Sequence, residues 1–308
     1  MNRPTERAPS PALQPSYTMN TDTLHQAPSQ AELEGVLASI RIPACPAIVS
    51  EVMFEAQREE PSLKVLTRIL SSDVGLSAMA VKLANSPIFG STAPVRSVQQ
   101  AVSRLGIGNI LNVVIAAALR NASEHPPTPL MERFWSRAST LALAAGVLAR
   151  RHVGIPPESA YTYALFHDAA IPVMLSNFPE YADVYAASQD RGATLLAQEQ
   201  QRFRCDHAVV GWLLARNWGL PAKIAAAIRY HHDPEVYILP EKELPAGALA
   251  LIAVTLIAVT LISEHVLSEF VEDADIVNER ALEDARIFLG TSDADIDDFR
   301  ETIITAIA

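Results

Sequence analysis

The chain has 308 residues, of which 49% are hydrophobic and only 6% aromatic, so its core must be built from aliphatic side chains. The formal net charge is -11 and no run of Lys or Arg occurs, which argues against a general nucleic-acid binder, because such binding depends on neutralising phosphates. The two cysteines form neither a disulfide framework nor a CxxC metal motif. No signal peptide is predicted, and the longest apolar run, residues 249–262, is shorter than the roughly 20 residues of a membrane span. We therefore expect a cytoplasmic protein without a membrane span.

Helical periodicity begins after an irregular leader. Residues 1–30 are rich in proline and polar side chains, which predicts a disordered segment, and Met19 is an alternative start. From Ala31 onward, apolar residues recur at spacings of three and four, as in amphipathic helices. No stretch alternates apolar and polar residues as a strand would. The pattern predicts an all-α fold.

Proline-rich breaks divide this helical region. The segment 124–129 separates a first bundle, 31–122, from a second, 130–235. A further break at 234–245 precedes C-terminal helices in 246–308, which we expect to complete or extend the second bundle. The predicted helices of the second bundle are at about 130–151, 158–175, 180–189, 194–202, 206–218 and 221–232.

A pentapeptide is duplicated in the C-terminal region. Leu251–Thr255 has the same sequence as Leu256–Thr260, and five residues advance a helix by about 500°. An inserted copy would therefore rotate everything that follows it. We interpret the repeat as a local duplication and not as a functional motif. The acidic tail 271–308 predicts amphipathic helices with a solvated acidic face.

The residues suited to chemistry lie at three places in the second bundle. These are His167 with Asp168, His207 after Asp206, and His231 with His232. Brought together on successive helices, imidazoles and a carboxylate could bind a divalent ion such as Mn, Fe, Zn or Mg. Each also has a structural alternative: Asp206 as a helix N-cap, the two later histidines as partners of a helix C-terminus, and His167 as a core residue. No phosphate-binding loop, GxSxG or HExxH motif is present.

The order of short motifs along the chain resembles the HDOD family, relatives of the HD and HD-GYP phosphohydrolases. No single motif is specific, but their order and spacing are. The resemblance implies an all-helical fold with two subdomains, HDOD over 31–235, and a regulatory role in bacterial signalling. The motifs lie at 42–46, 69–76, 82–87, 98–106, 134–135, 165–168, 206–214, 218–221 and 228–234.

The chain departs from the active enzymes of this group. In HD phosphohydrolases a His on an earlier helix precedes the His-Asp pair, and the matching position here is Arg137, whose guanidinium cannot bind a cation. HD-GYP enzymes follow the pair with Gly-Lys, whereas Ala170 and Ile171 follow it here. The later Asp ligand has no clear counterpart, although Glu264 lies near its place.

These departures favour a non-catalytic HDOD-type signalling module that acts through protein–protein contacts. The alternative is a metal-dependent phosphohydrolase acting on a nucleotide or cyclic dinucleotide, and a further alternative is nucleotide sensing in a vestigial cleft. We expect no cofactor, with a divalent metal as the alternative, and other signalling proteins as partners through the first bundle or the acidic C-terminal helices. Arg137 is a candidate cleft residue in place of the lost ligand. The possible or vestigial metal ligands are His167, Asp168, His207, His231 and His232.

Overall fold

The computed structural model describes residues 35, 40–85, 93–122, 128–187, 195–240, 243–244, 247–265 and 279–307. The leader predicted at 1–30 lies outside these ranges. Within them the chain is helical and contains no strand, so the all-α prediction is confirmed. Ile40–Ala308 group as one unit, separate from Met1–Ser39.

The helices follow one another with short connections. In chain order they are α1 Ala47–Ala56, α2 Leu63–Ser71, α3 Val74–Ala84, α4 Val98–Ala122, α5 Pro129–Ala149, α6 Pro157–Phe166, α7 Ala170–Asn177, α8 Tyr181–Ala187, α9 Leu195–Phe203, α10 His207–Asn217, α11 Ala222–Tyr230, a 3-10 turn Val236–Ile238, α12 Ala248–His265, α13 Glu279–Leu289 and α14 Asp293–Ile307.

Side-chain caps fix where helices of the first bundle begin. Asp73 accepts a hydrogen bond from the backbone N–H of Leu76 at 2.9 Å at the start of α3. Ser97 accepts one from Gln100 at 3.2 Å at the start of α4. Asp and Ser are among the preferred N-cap residues, and each such cap typically stabilises a helix by about 1 kcal/mol.

The long helix α4 is kinked at Gly106. This residue has φ 70° and ψ 174°, a conformation that is open almost only to glycine. By length and composition Val98–Asn121 could cross a membrane, but half of its apolar window is buried in the protein, as in any core helix.

Two helical layers meet along α4 and α6. The helices α1, α2 and α3 pack against α4, and α4 in turn contacts α6. Asn112 of α4 donates to the carbonyl of Glu158 at 3.4 Å and accepts a hydrogen bond from the buried hydroxyl of Thr162. Because Thr162 is on the helix that leads to His167, this polar contact ties the first bundle to the helix of the candidate site.

The motif at 42–46 anchors the start of the unit to the second bundle. The carbonyl of Pro43 accepts hydrogen bonds from Trp218 Nε1 at 3.0 Å and from Asn217 Nδ2 at 3.1 Å. The indole of Trp218 is buried and packs edge-on against Phe166, with ring centroids 5.7 Å apart. Since Phe166 directly precedes His167, the anchor holds the end of α6 in place.

The helix predicted over 158–175 is in fact two helices, α6 and α7, separated by a turn at His167–Ala169. The physical reason is Pro172, which has no N–H to donate to the carbonyl of Asp168, as a continuous helix would require. That carbonyl instead accepts from Ile171 at 2.9 Å. His167 and Asp168 therefore lie in a turn and not within a helix.

The duplicated pentapeptide lies in one continuous helix, α12. All of Leu251–Thr255 is buried, and most of Leu256–Thr260 is buried as well. The helix packs against α5, α6, α11 and α13. A helix that is apolar on every side and covered by several neighbours tolerates a rotation that would expose an amphipathic one.

The acidic tail forms helices, as predicted, over its described part, 279–307. The helix α14 packs on α5, and Asp298 pairs with Arg151 at 3.0 Å between exposed side chains. The first residues of the predicted tail, 271–278, lie outside the described ranges. The domain boundaries at 31, 122, 130, 235 and 246 stay predictions.

We expect Gly106→Ala to destabilise the protein by about 1–3 kcal/mol, because a side chain is strained at this backbone conformation. Urea unfolding followed by circular dichroism measures the change. Gly146→Ala is the matched control, since Gly146 lies in the helix α5 and a Cβ there makes ordinary contacts of 3.5 Å or more. It should be neutral or stabilise by about 0.5–1 kcal/mol. Equal effects of the two changes would contradict this account of the kink.

Candidate metal centre

Three helix ends bring the candidate residues together. Asp168 lies in the turn after α6, His207 is the first residue of α10, and His231 and His232 follow α11. One potential ligand atom from each of these four residues lies within 4.8 Å of all the others. Segments that are 64 residues apart in the sequence thus converge on a volume that fits a single ion.

Local structure explains why His207 faces this point. Asp206 caps α10 by accepting from the backbone N–H of Val209 at 2.8 Å, which places the next residue, His207, in the first turn of the helix. The predicted capping role of Asp206 is therefore confirmed. The helix packs against α7 and α11, so that its first turn lies beside the other two segments.

The imidazoles are held through their Nδ1 atoms. In His167 and His231, Nδ1 lies 2.6 and 2.7 Å from the carbonyl oxygen three residues earlier. In His207, Nδ1 lies 2.8 Å from Oε2 of Glu199. When Nδ1 carries the proton and donates it to such an acceptor, the lone pair of the ring is on Nε2, which is the arrangement of metal-binding histidines.

The Nε2 atoms cluster around the carboxylate of Asp168. Its Oδ2 lies 3.0 Å from Nε2 of His167, and its Oδ1 lies 3.5 Å from Nε2 of both His207 and His231. His232 completes the group, with its Nε2 3.0 Å from that of His207. The carboxylate thus lies among imidazoles from all three helix ends.

Several of these atoms are buried without a hydrogen bond. Within the described ranges, Nε2 of His167, Nε2 of His231 and Oδ1 of Asp168 have no partner with hydrogen-bond geometry. Unpaired buried polar atoms are rare and cost about 1–3 kcal/mol each. A cation held by Asp168 and His231 would satisfy Oδ1 of the first and Nε2 of the second, so the donor set fits a metal ion.

The charges of the cluster are strongly coupled. Burial by itself would raise the pKa of Asp168, but the facing His167, His231 and His207 hold that pKa well below its usual range. Burial disfavours protonated His207, yet the neighbouring Glu199 and Asp168 outweigh it and raise its pKa to about 9. Burial and the adjacent imidazoles lower the pKa of His231 and His232. The metal-free cluster therefore concentrates its positive charge on His207.

Imidazole nitrogen dominates the donor set. His207, His231, His232 and the carboxylate of Asp168 form the group. His167 is outside it and contacts Oδ2 of Asp168 through its Nε2. Such a set suits Zn, Fe, Ni or Cu, whereas Mg prefers oxygen ligands in octahedral geometry. Of the metals considered from sequence, the geometry therefore favours Zn and Fe over Mg.

All five residues predicted as possible ligands lie at this site, although their assignment as ligands stays a prediction. Arg137, predicted for the cleft, is a partly buried residue of α5. In the part of the chain that the structure describes, every ion pair of Asp168 involves a histidine, and Arg137 is not among its partners. Two further residues at the site, Glu199 and the Tyr181 whose hydroxyl donates to it, are not predicted from the sequence. A lone Glu among glutamines gives no signal of burial.

We expect His207→Gln to destabilise metal-free protein more at pH 6.5 than at pH 9.5. A folded-state pKa of about 9, above the unfolded value near 6.5, stabilises the fold fully below pH 6.5, and this stabilisation is lost as pH rises through 9. The loss of unfolding free energy caused by His207→Gln should therefore be smaller at pH 9.5 than at pH 6.5, by at most about 3 kcal/mol. Urea unfolding in the presence of a chelator measures it.

His152→Gln is the control for this pH series. His152 lies outside the cluster, and burial lowers its pKa, so the effect of its substitution should stay constant between pH 7 and 9.5. If His207→Gln lowered the free energy of unfolding by the same amount throughout this pH interval, His207 would not be the group that keeps its proton in the folded state.

Comparisons with known proteins agree with this architecture. An uncharacterized protein of Treponema pallidum (strain Nichols) is 24% identical over 202 residues, which are 64% of this chain and 39% of that protein. The chain therefore spans well under half the length of this curated relative.

Solved structures share the fold. An HDOD domain protein of unknown function from Geobacter sulfurreducens matches with a TM-score of 0.63 and 22% identity over 89% of this chain and 96% of that one. A candidate phosphohydrolase from Shewanella amazonensis matches with a TM-score of 0.64 and 23% identity, over 90% of this chain and 94% of that one. A candidate signal transduction protein from Marinobacter aquaeolei matches with a TM-score of 0.67 and 20% identity, over 89% of this chain and 62% of that one. At these identities the likeness shows the fold alone.

The family model named HDOD domain matches residues 42–234, well over half of the chain and close to the range 31–235 predicted for this domain. The motif order, the two helical layers and the His-Asp turn all fall within this match. The chain belongs to the HDOD domain family.

Proposed function

We propose that this chain is a cytoplasmic, non-catalytic HDOD signalling module that acts through protein contacts and holds a divalent metal ion in a closed site. The observation that carries the proposal is the convergence of Asp168 and His207, both buried, with His231 and His232, both partly buried, on one position. The side chains of Asp168, His207 and His231 are only 5, 2 and 7% exposed. Structural metal sites are closed in this way, whereas catalytic sites keep a position open for water or substrate.

Arg137 supports the non-catalytic part of the proposal. By resemblance to HD phosphohydrolases, this position on α5 would supply the first metal ligand, and a guanidinium cannot do so. The loss removes a ligand from one side of the site and adds a positive charge on that helix. Hydrolysis would require the remaining ligands both to hold the ion and to leave it open to a phosphate.

The metal would act here by joining helix ends. Asp168, His207 of α10 and the two histidines after α11 would hold it, and it would neutralise the buried carboxylate and satisfy the unpaired Nε2 of His231. Binding only to the folded state stabilises that state, by about 2.7 kcal/mol at a ligand concentration 100 times the Kd. The order of the second bundle would then depend on metal availability, which is a plausible input for a signalling module.

The second candidate function is metal-dependent phosphoester hydrolysis. Its support is the retained His-Asp turn with three further histidines, together with the fold shared with the Shewanella amazonensis protein described as a candidate phosphohydrolase. In such an enzyme a bound metal would lower the pKa of a water molecule. Asp168 would then orient that water, and the substrate would be a nucleotide or cyclic dinucleotide.

We expect the purified protein to bind about one Zn²⁺ or Fe²⁺ per chain and to hydrolyse neither bis(p-nitrophenyl) phosphate nor cyclic dinucleotides. His207→Ala should weaken Zn²⁺ binding by more than the roughly 10–100-fold that the loss of an outer partner costs. Calorimetry and elemental analysis measure binding, and a chromogenic assay measures turnover. His152→Ala is the matched control, because His152 lies outside the cluster and its ring is near that of Phe299.

Two results would contradict the proposal. Metal-dependent hydrolysis that disappears in the His207→Ala protein would establish the phosphohydrolase instead. The metal centre would be contradicted if the purified protein held no stoichiometric divalent metal and if added Zn²⁺ or Fe²⁺ left its free energy of unfolding unchanged.

Protein contacts would use the exposed apolar side chains of the two faces predicted from sequence. On the first bundle, Phe54 is 73% and Val74 is 88% exposed. On the C-terminal helices, Ile287 is 69% exposed and Phe288 packs partly against Tyr237. Exposed apolar residues of this size are more typical of contact sites than of a free surface when they are grouped.

We expect Phe54→Asp with Val74→Asp to reduce cross-linking to partners in cells of the source bacterium by at least about tenfold, as loss of a contact hot spot would. Ile287→Asp is the matched change on the other face. Loss only in the Ile287→Asp protein would move the contact to the C-terminal helices. An unchanged partner set in both proteins would contradict binding through either face.

A further inference from the structure

We propose that Glu199, supported by Tyr181, is a positioning residue that orients His207 for metal binding, an inference that rests on the metal centre proposed above. Glu199 is not predicted as a site residue by any motif of the sequence. It contacts no other member of the cluster directly except His207 within the described ranges.

Glu199 occupies a position that normally holds an apolar residue. On the nine-residue helix α9, only Leu195 and Glu199 are buried, four residues apart on one face. The carboxylate of Glu199 is fully buried. Burying a charge is costly unless it is paired and hydrogen-bonded, and an aliphatic side chain would fill the same space more cheaply. The carboxylate therefore points to a role beyond packing.

Every contact of this carboxylate serves His207 or supports the carboxylate itself. Oε2 accepts from the backbone N–H of His207 at 3.0 Å and lies 2.8 Å from its Nδ1. Oε1 accepts a hydrogen bond from the hydroxyl of Tyr181. One oxygen thus holds both the backbone and the ring of His207, while the other is fixed by a fully buried tyrosine.

The contact of Nδ1 with Glu199 determines what the opposite nitrogen of the His207 ring, Nε2, can bind. With the Nδ1 proton donated to Glu199, loss of the other proton leaves the lone pair of His207 on Nε2, which lies 3.5 Å from Oδ1 of Asp168 and 3.0 Å from Nε2 of His232. A carboxylate in this position also makes the imidazole a more basic ligand, and outer partners of this kind typically change metal affinity 10–100-fold.

The pair of Glu199 and His207 is nearly dry, with side chains 0 and 2% exposed, and the ring of Tyr181 beside it packs against other aromatic rings. The ring of Phe203 lies 5.7 Å from that of Tyr181 and 4.5 Å from that of Phe178. In such a poorly solvated environment, a charged hydrogen bond is stronger than it would be at the surface. The pairing can therefore fix one orientation of the His207 ring.

Asp206 offers a matched control one residue away. It is also buried and negatively charged, but its side chain contacts Val209 N–H and Gln200 and not the imidazole. Asp206→Asn removes the same charge at the same helix end. Any effect that depends only on charge near α10 will appear in both variants, whereas positioning of the ring will appear only at Glu199.

The experiment compares wild type, Glu199→Gln and Asp206→Asn. Zn²⁺ affinity is measured by competition with a fluorescent chelator, and the visible absorption of Co²⁺-loaded protein reports ligand geometry. For Glu199→Gln we expect 10–100-fold weaker Zn²⁺ binding and a changed Co²⁺ spectrum. For Asp206→Asn we expect affinity within about threefold of wild type and an unchanged spectrum, because an Asn side chain also caps a helix and keeps His207 in the first turn of α10.

A second variant covers the case in which Glu199→Gln does not fold. Tyr181→Phe removes only the support of Oε1, so a smaller loss of Zn²⁺ affinity with a shifted Co²⁺ spectrum is expected. Wild-type affinity in both the Glu199 and the Tyr181 variants, or equal losses in the Glu199 and Asp206 variants, would overturn the positioning role and leave the metal centre standing. Failure of the wild type itself to bind Zn²⁺ or Co²⁺ would overturn the metal centre and this inference with it.

Discussion

The buried carboxylate of Asp168 places the strongest physical demand on this structure. A charged group taken out of water must be paired, and here the available partners are imidazoles at distances of 3.0–3.5 Å. Those imidazoles come from α10, from the end of α11 and from Asp168's own turn. If any of these segments moved, the carboxylate would lose a partner in a nearly dry environment. The packing of the second bundle is therefore tied to the charge balance of the cluster.

The rest of the fold holds these helix ends in register. Pro172 breaks the helix that would otherwise continue through Asp168, and the resulting turn brings His167 and Asp168 to one side. Trp218 connects this turn, through Phe166, to the anchored carbonyl of Pro43. The first bundle reaches the same helix through Asn112. The cluster is thus joined by packing and hydrogen bonds to the first bundle and to the start of the unit.

The fold class, the cap at Asp206 and the residues of the cluster could be predicted from the sequence, because each leaves a local pattern. Sequence reasoning placed His167 and Asp168 inside a helix, since the apolar periodicity continues through Pro172 and hides the turn. It could not find Glu199, whose burial depends on how α9 packs against Tyr181 and α10. Nor could it show that the unpaired nitrogens of His167 and His231 face the carboxylate of Asp168, because that depends on helix ends distant in sequence.

X-ray absorption spectroscopy of the Zn²⁺-loaded protein tests the central claim most directly. Ligation by the cluster predicts about four nitrogen and oxygen ligands at about 2.0–2.1 Å, with outer scattering from several imidazole rings. Loss of one imidazole contribution in the His231→Ala protein would support the assignment. A sulfur ligand at about 2.3 Å, or a shell of oxygen atoms without imidazole scattering, would contradict it.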